Sequence, residues 1–212
     1  MPLPSDYPAQ LRLLDRWHEG ARERLPGIIP CRPGCSACCH GPFDISVADA
    51  RLVRDTVGSL QPDTQRALVQ RAEAQTARMR ELDAGFKAPY DVSGFDDGRF
   101  DALVETLASD PCPALDDAGK CLIYRGRPMI CRLMGLGLET AAGEVIENAC
   151  PIQNEFPAYA ALPPQQFDLA TWEAGEAVAR AGAAEILFGS DGNIGYETTV
   201  AGAMMLGHFP GT

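Results

Sequence analysis

The chain has 212 residues, 46% apolar and 22% charged, which is ordinary globular usage and enough to bury a core. Its 29 acids against 18 bases give a net charge of -11, which argues against nucleic acid or an anionic membrane as the main partner. No apolar run approaches the roughly 20 residues a membrane span needs. The first 30 residues carry no charged-then-apolar-then-small-residue leader, so the expected compartment is the cytoplasm.

In chain order, Leu11, Leu14, His18, Ala21 and Leu25 recur at helical spacing and predict an amphipathic helix over 5–25, ended by Pro26-Gly27. His18 on that face reads as a hydrogen-bonded core residue rather than a ligand. Cys31, Cys35, Cys38 and Cys39 follow in a loop, C-x3-C-x2-C-C, with His40 directly after as the histidine best placed to ligate. Ser46 predicts an N-cap for a helix over 47–58, and Pro62 the first turn of a longer helix to Leu82. The Arg66, Arg71, Arg78 and Arg80 series, alternating with Glu73 and Glu81, reads as a solvated face. A Gly- and Pro-interrupted loop over 84–95 leads to a helix from Asp97 to Ala108.

The second half opens with Cys112 in a loop. Asp116, Asp117 and Gly119 predict a turn, read as turn chemistry rather than a cation site, and 121–124 predicts a short strand. Pro128 begins a single helical turn carrying Cys131. Segments 136–140 and 144–148, around Ala142-Gly143, read as a β-hairpin that delivers Cys150. Helices are expected over 165–181, with Leu169 and Trp172 inward, and over 197–206, with Met204 and Met205 as core filler. His208 falls near the end of the chain. No internal repeat, low-complexity tract or linker stands out. The expected fold is mainly α with a small β-hairpin, a single compact domain with irregular cysteine-rich metal-binding loops. Residues 31–150 form its cysteine-cluster core, and 1–30 and 151–212 its helical flanks.

The eight cysteines carry the chemistry. In a reducing compartment, clustered cysteines point to metal or catalysis rather than disulfides. Thiolates must converge to about 2.3 Å from a zinc ion, or onto the irons of a cluster. The Arg32-Pro33-Gly34 turn can aim Cys31 and Cys35 at one centre, since Pro fixes one backbone angle and Gly permits the left-handed one. Neighbouring Cys38 and Cys39 point different ways and can serve different centres. The count fits two four-thiolate sites or one site stitched from both halves. Arg32, Arg125, Arg127 and Arg132 stand beside cysteines, where a guanidinium lowers a thiol's pKa.

These motifs resemble a known family. Residues 31–39, CRPGCSACC, with 112–132, CPALDDAGKCLIYRGRPMICR, and a last Cys150 are similar to the bacterial cysteine-cluster proteins of the YkgJ-like family. That family is described as a zinc- or iron-chelating domain. The shared positions are Cys112-Pro113 with Leu115, Gly119 with Cys121, Ile123-Tyr124 with Arg127-Pro128, and Cys131-Arg132. The resemblance covers about 31–150. It implies metal or iron–sulfur binding through Cys31, Cys35, Cys38, Cys39, Cys112, Cys121, Cys131 and Cys150, and it implies no reaction. The domain is also similar to part of flagellin lysine methylases, but Gly135 and Gly137 form only a G-x-G, without a dinucleotide motif.

The function expected is metal binding, with an iron–sulfur cluster or zinc as cofactor, in a redox or accessory role. One alternative is a metal-dependent enzyme at an incompletely ligated centre, assisted by Tyr124, Arg127 and Arg132. Another is thiol redox or metal delivery through Cys38 and Cys39. The acid excess over 91–120 and 151–212 offers a face to a protein partner.

Overall fold

The computed structural model describes residues 6–32, 34–189 and 191–206, with Asp191 in its backbone only. His208 lies outside the described residues. The helices are α1 (Tyr7–Arg24), α2 (Val47–Gly58), α3 (Pro62–Leu82), α4 (Asp97–Thr106), α5 (Met129–Leu133), α6 (Pro157–Ala160), α7 (Leu169–Phe188) and α8 (Val200–Met204). The strands are β1 (Asp44–Ser46), β2 (Leu138–Glu139), β3 (Val145–Ile146), β4 (Gln165–Gln166) and β5 (Glu197–Thr199). The fold is mainly α with small sheets and a β-hairpin, as expected from the sequence. The chain forms two compact units, each built from separate stretches. One joins Met1–Cys38 to Met129–Ala179, and the other joins Cys39–Pro128 to Arg180–Thr212.

In the first unit, Asp6 caps α1 by accepting from the Ala9 N–H at 3.2 Å, and Pro8 fits the first turn, where an N–H has no helical partner. Leu11, Leu14 and Ala21 are fully buried along one stripe, as their spacing predicts. Arg132 of α5 pairs with Asp15 of α1. The core beneath holds Ala21, Ile29, Leu136, Cys150 and Tyr159, edged by Trp17, Leu25 and Cys31. The predicted hairpin is present: β2 and β3 pair antiparallel, with Leu138 opposite Ile146. Its turn is closed by Thr140, and Gly143 takes the positive φ (83°) the turn needs. β4 adds to β2 in parallel. Expected inside a helix, Gln165 instead binds the Gly137 carbonyl through its N–H at 2.8 Å, and α7 starts at Leu169. Prolines at 163 and 164 favour that extended entry. Trp172 is buried against Tyr7, ring centroids 6.4 Å apart, while Leu169 is only half-buried.

In the second unit, α2 and α3 match their expected bounds, punctuated by Ser46 and Pro62. Both pack on α8, and α2 and α8 pack against the β1–β5 ribbon. A second cluster, Met79, Phe86, Val92, Leu103 and Leu107, seats the 84–95 loop on α3 and α4. Two segments here are alike, although no repeat stood out in the sequence. Phe43–Ala50 reads FDISVADA and Tyr196–Ala203 reads YETTVAGA. Each is a short strand entering a helix through a hydroxyl N-cap, Ser46 or Thr199. The strands pair about a local two-fold, with Ile45 opposite Thr198 and the flanking pairs symmetric about it. Residues 197–199 are therefore strand rather than helix, because Thr198 and Thr199 fill ladder positions opposite β1. Met204 is buried as expected, and Met205 is half-buried.

The strand expected over 121–124 is absent. Cys121 makes a single bridge to Leu115, and the chain then tightens into a 3-10 turn over Tyr124–Gly126. Gly126 lies against Thr56, a close approach that a side chain would block.

Candidate metal centre

Cys31 is the focus of the first unit. The Cys35 N–H donates to the Arg32 carbonyl at 2.9 Å, closing the predicted turn, and Gly34 takes φ 87°. The hairpin returns the chain, and Asn148 accepts from the Cys150 N–H at 3.0 Å, fixing the bend that buries Cys150. Cys31 then has three thiol neighbours within electrostatic reach: Cys150, Cys35 and Cys38. Burial first, and then those three sulfurs, push the Cys31 thiol up to about 11, opposed by Arg22. Sulfur charge gathered away from water is unfavourable alone and favourable around a cation. Four thiols with no carboxylate or amine among them are the donor set of zinc or of an iron–sulfur cluster. The residues therefore fit such a group. Among the described residues, no three His, Cys, Asp or Glu side chains stand at closed metal-ligand geometry.

Other groups border these thiols. Gly135, at φ 97°, exposes its α-carbon to them, and a Cβ there would lie 2.8 Å from the Cys31 sulfur, 3.4 Å from the Tyr159 hydroxyl and 3.6 Å from His18 Nε2. His18, read from sequence as a core residue, thus stands beside Cys31 at the half-buried edge of the helix. Cys131 belongs to the same unit, on α5 as predicted.

The other unit holds Cys39, Cys112 and Cys121. Residues 39–41 and 110–112 pair like a short ladder: Cys112 N–H donates to the Cys39 carbonyl at 2.9 Å, and Gly41 N–H to the Asp110 carbonyl at 2.7 Å. This register sets Cys39 beside Cys112. His40 pairs through its backbone with Pro111, and its side chain is exposed. Asp116 closes the following loop by accepting from the Ala118 and Lys120 N–H groups at 3.0 and 2.8 Å, the turn role expected of it. Cys121 lies across that loop, opposite Leu115. Burial raises its pKa, opposed by a backbone hydrogen bond from Ile123 and by Arg127.

The neighbouring cysteines at 38 and 39 thus part company, Cys38 toward Cys31 and Cys39 toward Cys112. Of the arginines expected to balance thiolate charge, Arg127 acts on Cys121, whereas Arg132 is 4% exposed and pairs with Asp15. Arg22, on α1, is the guanidinium that acts on Cys31, and sequence proximity did not point to it. Tyr124 does not pack. It is 58% exposed, with the Arg127 guanidinium 4.3 Å from its ring centre. Gly135, Asn148 and Tyr159 also escaped the sequence reading. Only Asn148 carried a signal, as an Asx-turn residue two positions before a cysteine.

No helix among the described residues is long and apolar enough to cross a membrane. The family model described as "Putative zinc- or iron-chelating domain" matches residues 30–151. No curated protein and no solved structure matches the chain at a significant level.

Proposed function

The chain belongs to the CxxCxxCC family of zinc- or iron-chelating domains, and from that membership we propose that Cys31, Cys35, Cys38 and Cys150 hold one zinc ion or one iron–sulfur cluster. The observation that carries this reading is the packing of Cys150, from a distant part of the chain, with Cys31 of the first motif. Four thiolates satisfy a structural zinc ion or a cluster. Cys39, Cys112, Cys121 and Cys131 are the thiols left for further metal, with Cys39 and Cys112 already side by side.

In this reading the metal ties the 31–38 turn to the end of the hairpin. Its binding energy becomes folding energy for loops that have little secondary structure of their own. The setting is the reducing cytoplasm, where thiols stay available as ligands. Metal content, acid-labile sulfide and visible absorption, measured on protein purified without oxygen, test the proposal. Wild type should carry metal, and Cys150→Ser should lose at least one site's worth. A metal-free wild type, or a Cys150→Ser protein with full metal content, would refute it. Iron with labile sulfide identifies a cluster, and zinc without colour identifies a structural ion.

A further inference from the structure

Tyr159 lies beyond the cysteine motifs and outside the family match, which ends at residue 151. Pro157 opens α6, and Tyr159 turns inward from it to 1% exposure. A phenol buried this deeply needs partners for its hydroxyl. Its partner here belongs to the cysteine site. The hydroxyl donates to the Gly135 carbonyl at 2.6 Å, and the ring packs in one cluster with Cys150. Asn148 accepts from the Cys150 N–H at 3.0 Å. The turn the hydroxyl anchors is the one facing the Cys31 sulfur.

We infer that Tyr159 is a positioning residue for the metal centre: its hydroxyl holds the Gly135 turn against the Cys31 sulfur, and its ring packs beside Cys150. This rests on the reading of Cys31 and Cys150 as ligands. An outer-shell contact that fixes the direction of a ligating sulfur strengthens metal binding, so its loss weakens binding and alters the metal's electronic spectrum. A ring that merely fills space would be replaced by phenylalanine without either effect.

The test uses the full chain, stripped of metal under reducing conditions and titrated with Co2+ against a competing chelator. Wild type, Tyr159→Phe and Cys150→Ser are compared by affinity and by the thiolate-to-cobalt charge-transfer band. Tyr159→Phe should bind about tenfold more weakly, within the range for lost outer-shell partners, with its band displaced. Affinity and band equal to wild type would overturn the inference while Cys150→Ser still binds poorly. Cys150→Ser binding like wild type would instead bring down the ligand reading, and this inference with it. Where Tyr159→Phe fails to fold, Gly135→Ala, which disturbs the turn the hydroxyl holds, carries the test: a displaced band supports the role and an unchanged band overturns it.

Discussion

Gly135 shows how one residue type can be demanded twice. Its φ of 97° is costly for any side-chain-bearing residue, and its missing Cβ leaves room for the Cys31 sulfur. Gly135→Ala should therefore lower stability by about 1–3 kcal/mol, the usual cost of a strained backbone. It should also reduce bound metal, because the methyl group would push Cys31 from its neighbours. Denaturant unfolding and metal analysis of the purified variant check both effects. A variant as stable and as metal-rich as wild type would mean that the turn has freedom the geometry denies it. Gly143 shares the positive φ, but a Cβ there meets nothing within 4 Å, so its substitution should cost only the backbone strain.

Among the elements, the two strand–helix segments depend on hydroxyl caps. The Ser46 hydroxyl accepts from the Asp49 N–H at 3.3 Å, and the Thr199 hydroxyl from the Gly202 N–H at 3.0 Å. Both residues are buried, so water cannot replace a lost cap. Ser46→Ala and Thr199→Ala should each cost about 1 kcal/mol, read as a lower urea midpoint. Ser46→Thr and Thr199→Ser keep an accepting oxygen and should recover much of the loss. Equal losses for Ala and for the hydroxyl variants would show that packing, not capping, sets the cost. The third residue after each cap also differs for a physical reason: a Cβ on Gly202 would collide with Thr198, whereas Asp49 occupies the matching place in α2.

For the whole molecule, the consequence of the proposed metal site is long-range closure. The first unit joins chain ending at Cys38 to chain resuming at Met129, and its cysteines gather from both pieces. Closing so long a loop costs entropy, and the proposed metal, shared by both pieces, would offset that cost in the folded state only. Chelation under reducing conditions should speed proteolysis in 31–38 and around 148–152 together. Amides in the middle of α2 and α3 should keep slow hydrogen exchange, since Val53, Val57, Leu68 and Ala72 are fully buried in an apolar core that needs no metal. Proteolysis unchanged after complete metal removal would exclude a structural role for the metal in those loops.

The sequence by itself determined what local physics controls. The apolar stripe of α1, the Ser46 cap, the Pro62 start, the hairpin around Gly143 and the helical turn at Cys131 all follow from contacts within a few residues. The C-x3-C-x2-C-C spacing likewise carried the metal-binding chemistry and the family. Local signals misled where a distant partner decided the outcome. Glu197–Thr199 became strand because β1 lay alongside, and Gln165–Gln166 became strand because β2 did. Only the tertiary structure parted Cys38 from Cys39, brought Cys150 to Cys31, and aimed Tyr159 at both. Those placements depend on which buried faces meet after long loops close, and spacing along the chain holds no record of that.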